Sequence, residues 1–196
     1  MLSGNGFDKV INLAGGIQAW NGKKAFFGEE KGIELFTGNE SLEQTLVVAY
    51  AMEKGLREFY LSMVGKVENK AVKDMFQKLS QIETKHQERI FQQYIQISKV
   101  EVSRKKFEAD LVVPAVEGGM TTEEYVNFFS PDWESVQGII ELAMSIEAQA
   151  LDLYFRASKR TENKESKNFL CQIADEEQAH LQQLGKLMDS VISKKI

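Results

Sequence analysis

From Ser41 onward, apolar residues recur every three or four positions. Leu42, Leu46, Ala49, Leu56 and Met63 form one stripe, and Val72, Phe76, Leu79 and Ile90 form a second. Val136, Ile140, Ala143, Ala150 and Ala157 make a third, followed by Leu170, Ile173, Leu184, Leu187 and Val191. This is the spacing of helices that bury one face in a bundle. It predicts four long helices near 41–65, 69–97, 133–160 and 164–192, with Asn69 and Asn163 placed to cap the second and fourth. A tight turn joins the helices of each pair. A long connection, about 98–132, separates the pairs. It holds Gly118-Gly119 and a short helix opened by "TTEEY", in which Thr121 or Thr122 is the cap and Glu124 follows.

Residues 1–22 follow another pattern: glycine-rich, with a strand-like run Val10-Ile11-Asn12-Leu13 and a turn at Gly15-Gly16. They are too short to bury a core of their own, and residues 23–40 read as a linker before the bundle of 41–196. The 196-residue chain contains only two prolines, Pro114 and Pro131, which suits long uninterrupted helices. A formal net charge of -5 argues against a nucleic-acid surface, which needs a basic patch. The single cysteine, Cys171, excludes an internal disulfide and any CxxC motif, and favours a reducing, cytoplasmic setting. No apolar run approaches the length of a membrane span.

The two hairpins are copies of each other, offset by 94 residues. Between 42–86 and 136–180 there are nine identities, among them Glu53 with Glu147, Tyr60 with Tyr154, Glu83 with Glu177 and His86 with His180. The turn "ENK" occurs at both 68–70 and 162–164. The shared polar residues interrupt the apolar stripes. Glu53 falls on the first, Glu83 and His86 on the second, Glu147 on the third, and Glu177 and His180 on the fourth. Glu53 and Glu83 are each 15 residues from Glu68, and Glu147 and Glu177 are each 15 from Glu162. At about 1.5 Å per residue, the two glutamates of each hairpin are level, roughly 22 Å from their turn. Four carboxylates in an apolar interior would cost several kcal/mol each if unpaired. A bound cation is the simplest remedy.

Two hairpins with one long crossover form the ferritin-like four-helix bundle, an all-α fold. One Glu from each of two helices and a Glu-x-x-His from each of the other two make its dinuclear carboxylate site. Such ligands suit iron or manganese, and zinc is admissible. Residues 41–192, through "AMEKGLREFY", "IETKH", "SIEAQALDLY" and "EEQAH", resemble the rubrerythrin and ferritin-like di-iron family. The resemblance implies two iron ions, with Glu53, Glu83 and His86 as one half-site and Glu147, Glu177 and His180 as the other. Glu83 and Glu177 would bridge. Tyr60 and Tyr154 are either hydrogen-bonding residues near the metals, as often in that family, or core aromatics with satisfied hydroxyls. Rubrerythrin peroxidases carry a further glutamate where this chain has Ala150, and rubrerythrins proper carry a four-cysteine module absent here. An external electron donor is therefore expected.

The segment "GFDKVINLAGGIQAW" resembles the end of a rhodanese domain. The family's cysteine loop would lie upstream, so this chain alone is not expected to transfer sulfur, and an upstream rhodanese domain is expected in the full-length protein. These readings lead to a di-iron oxidoreductase acting on peroxide or oxygen in oxidative or sulfur stress, with a homodimer expected. The alternatives are an iron-binding or ferroxidase protein, and a dimerisation module of a rhodanese fusion.

Overall fold

A computed structural model describes residues 32–99, 101–109, 111 and 121–193. The rhodanese-like segment and the first half of the expected linker, 23–31, lie outside the described residues. Everything described falls in one compact unit, Gly32–Ile196. Its long helices are α1 (Leu42–Val64), α2 (Lys70–Ser98), α5 (Val136–Arg160) and α6 (Lys164–Ser193). The crossover contributes α3 (Arg104–Ala109) and α4 (Thr122–Phe129). The fold is the expected ferritin-like all-α bundle: α1 pairs along α2, and α5 pairs along α6.

Local chemistry sets the helix boundaries. Ser41 and Gln44 form a capping box at α1, with Ser41 Oγ accepting from the Gln44 amide at 3.3 Å and Gln44 Oε1 accepting from the Ser41 amide at 2.9 Å. Asn69 Oδ1 accepts from the Ala71 amide at 2.9 Å at the start of α2. Asn163 Oδ1 accepts from the Ser166 amide at 2.9 Å at the start of α6. Both asparagines therefore act as the caps that the sequence places there. Thr121 caps α4 and forms a capping box with Glu124. The third long helix begins three residues later than its periodicity suggests, because Ser135 caps α5 through the Gly138 amide. The carboxylate of Glu134 accepts from the Glu68 and Asn69 amides, which ties the end of the crossover to the turn of the first hairpin.

Two apolar clusters fill the bundle. One gathers Leu46, Ala49 and Tyr50 of α1 with Ile90 of α2, Leu153 of α5 and Phe169 and Ile173 of α6. The other gathers Leu56 and Tyr60 of α1 with Phe76 of α2, Ile140 and Ile146 of α5 and Leu184 of α6. Along each helix the switch from one cluster to the other comes at the glutamates. A polar layer thus divides the core into two halves. Two pieces of the core lack helical periodicity. Phe36, read from sequence as linker, is buried against Tyr154 with ring centroids 6.3 Å apart, after a 3₁₀ turn at Ile33–Leu35. Phe107 of α3 closes over Tyr50 at 4.9 Å, edge to face. An isolated aromatic docks because burying its ring is favourable in any backbone setting.

Candidate metal centre

The layer between the clusters holds the six residues marked by the repeat. Glu53, Glu83, Glu147 and Glu177 are 0–2 % exposed. His86 Nδ1 lies 3.2 Å from Glu53 Oε2 and 3.3 Å from Glu83 Oε2. His180 Nδ1 lies 3.3 Å from Glu147 Oε2 and 3.1 Å from Glu177 Oε2. Each hairpin therefore builds the same triad by the same helical spacing. The triads meet where the His86 and His180 rings stack, with centroids 4.7 Å apart and an interplanar angle of 11°.

Burial makes this a strained electrostatic arrangement. Desolvation pushes the Glu83 carboxyl well above its ordinary value; the His86 hydrogen bond opposes this, and the charges of Glu53 and Glu147 add to the rise. Burial pulls the His86 imidazolium down. Its hydrogen bonds and charge interactions with Glu53 and Glu83 outweigh that effect and bring its pKa up to about 11. Glu83 Oε1 is buried with no hydrogen-bond partner among the described residues. A carboxylate oxygen so placed can donate to a cation at no further desolvation cost. Ligand atoms of Glu53, Glu83 and His86 lie within 4.8 Å of one another, as do those of His86, Glu177 and His180. The donor set is hard oxygen with imidazole nitrogen, which fits iron or manganese.

Tyr60 and Tyr154 are fully buried on the stripes of Glu53 and Glu147. Several supporting residues lie off the apolar stripes. Gln87 Nε2 donates to the Glu53 carbonyl at 3.2 Å, and Gln87 Oε1 accepts from Arg104 at 3.3 Å. Arg104 Nε also donates to Tyr50 Oη at 2.9 Å and pairs with Glu108, to which the Tyr50 hydroxyl donates. Burial and that Glu108 contact both push the Tyr50 phenol up. Beside the histidines, Arg89 grips Glu176 with two contacts of 2.6 Å and bridges α2 to α6. Gln87 follows His86 and Glu176 precedes Glu177 in the sequence, but nothing local marks Arg104 or Glu108. Partner choice across helices needs the fold.

Fold and site together define a ferritin-like bundle with a paired carboxylate–histidine centre at mid-height. Residues 44–188 match the rubrerythrin family, and the chain belongs to that family. A solved structure described as a hypothetical protein from Pyrococcus furiosus is similar over 83 % of this chain and 97 % of its own, with a TM-score of 0.51 and 23 % identity. That likeness bears on the fold alone. No curated protein matches the chain. Among the described residues, no helix is long and apolar enough to cross a membrane.

Proposed function

We propose that this chain is a carboxylate-bridged di-iron oxidoreductase that reduces peroxide or dioxygen. The observation that carries the reading is the layer of four buried glutamates and two stacked histidines between two apolar cores. Glu53, Glu83 and His86 would hold one iron, and Glu147, Glu177 and His180 the other, with Glu83 and Glu177 shared. When bound, two ferrous ions would supply two electrons to a dioxygen species. The chain's own contribution is positional. The glutamates fix the two half-sites at one height. Imidazole nitrogens complete them and must be neutral to do so. The apolar clusters above and below the layer keep the four carboxylates out of bulk water. An external donor would return the electrons.

Elemental analysis of anaerobically purified protein should find two iron atoms per chain, and Glu53→Ala or Glu147→Ala should lose at least half. Peroxide should oxidise the ferrous protein rapidly, and ferrous sites unchanged by peroxide would sink the redox reading. Ala150 favours a second reading, iron binding with ferroxidase activity. This residue is fully buried where family peroxidases carry a glutamate. Oxidation by oxygen that outpaces oxidation by peroxide would select it.

A further inference from the structure

The centre is symmetric in its proposed ligands but not in its surroundings. A cavity of about 390 Å³ lies between α2 and α6 and reaches Glu147 and His180. Its walls include Met75, Leu79 and Ile82 of α2 with Leu184 and Leu187 of α6. Lys78 and Lys186 stand at the exposed edge.

The 94-residue repeat shows what keeps this cleft open. The repeat equivalents of Ile82 and Gln183 are Glu176 and Arg89. Those two form the bidentate pair that ties α6 to α2 beside His86. A paired guanidinium and carboxylate therefore occupies one mouth, whereas the equivalent mouth has an isoleucine and a glutamine, and a cavity. Equally, Met75 stands where the other copy has Phe169. One mouth is bridged by the ion pair of Arg89 and Glu176; the other is lined mainly by apolar side chains.

The open side is larger than dioxygen or peroxide requires, since a water-sized molecule takes only about 30 Å³. It falls in the range of about 300–1,000 Å³ usual for small organic ligands. The apolar walls select an aliphatic body. Two ammonium groups at the rim select an anionic head, because lysine stems lie along apolar surface while their charges stay in water. We propose that this cleft binds an aliphatic monocarboxylate, its chain lying along the apolar walls towards Glu147 and His180 and its carboxylate held between Lys78 and Lys186. This deepens the reading of those two residues as metal ligands by naming an organic molecule that would lie next to them.

The test is calorimetric titration of the whole chain, metal-free and iron-loaded, with dodecanoate, and with dodecylammonium as the opposite-charge control. Dodecanoate should bind at one per chain, at least tenfold tighter than dodecylammonium. Lys78→Glu combined with Lys186→Glu should reverse that preference. Ile82→Glu combined with Gln183→Arg, which copies the closed mouth, should weaken dodecanoate at least tenfold with iron content unchanged. Equal binding of the two amphiphiles, or dodecanoate binding indifferent to the lysine exchange, overturns the proposal. So does a dimer that the lysine exchange dissociates in a protein that binds no dodecanoate, which would give the cleft to a second copy. The lysines are exposed, so their variant remains informative if the closing variant fails to fold. Iron content measured on the same samples separates the two readings. Dodecanoate binding without iron leaves the cleft and removes the di-iron centre, and the reverse removes only the cleft proposal.

Discussion

Replacing Glu83 by glutamine should stabilise the metal-free protein while removing metal-dependent stabilisation. Glu83 is 1 % exposed, and its Oε1 has no hydrogen-bond partner among the described residues. Burying a carboxylate with one oxygen unpartnered costs more than burying a neutral amide in the same place, by about 1–3 kcal/mol. For a domain of this size each kcal/mol moves the melting temperature by about 2–4 °C, so Glu83→Gln should melt about 2–12 °C higher when free of metal. The gain should depend on pH. Burial, with the charges of Glu53 and Glu147, raises the folded carboxyl well above its ordinary 4.5. Above that pH the unfolded chain has released the proton while the folded chain retains it. Stability therefore falls as pH rises from about 4.5 towards the raised folded value, and glutamine abolishes that loss. The gain should be small near pH 5 and large near pH 8, read by thermal unfolding followed by circular dichroism. Loading with ferrous iron should raise the melting temperature of the wild type and barely move that of the variant. A lower melting temperature for metal-free Glu83→Gln at pH 8, or a gain indifferent to pH, would refute the idea that this carboxylate is strained in the absence of a cation.

Metal loading should release protons. His86, raised to about 11, is protonated at pH 7 in the metal-free chain and must be neutral to ligate. Calorimetry in buffers of different ionisation enthalpy should show at least one proton released per chain, with affinity increasing from pH 6 to 9; no release would remove His86 from the ligand set. Ile140→Ala, at a fully buried position of the second cluster, should cost about 2–5 kcal/mol in urea unfolding, and a cost below 1 kcal/mol would contradict its packing. Ser41→Ala removes one arm of the α1 capping box and should cost about 1 kcal/mol by the same assay. Tyr50→Phe should destabilise the chain by about 1–3 kcal/mol, because Arg104 and Glu108 lose a partner that is buried in the first core cluster. An unchanged urea midpoint would show that α3 docks through Phe107 alone.

The sequence by itself determined the four long helices, because 3.6-residue periodicity is local and two prolines leave it unbroken. It also determined which residues form the polar layer. Glu53, Glu83, His86, Glu147, Glu177 and His180 break apolar stripes at equal distances from two matching turns, and in an antiparallel hairpin equal distance means equal height. Phe36 and the short helix around Phe107 escaped it, since a single aromatic has no period to betray its burial. The histidine stacking and the supporting contacts of Gln87 and Arg104 depend on how the helices lie against one another, which no local pattern encodes. The sharpest case is the asymmetry of the centre. The repeat makes the two half-sites look equivalent, and only the packing of α2 against α6 decides that Arg89 and Glu176 meet on one side while Ile82 and Gln183 line a cavity on the other.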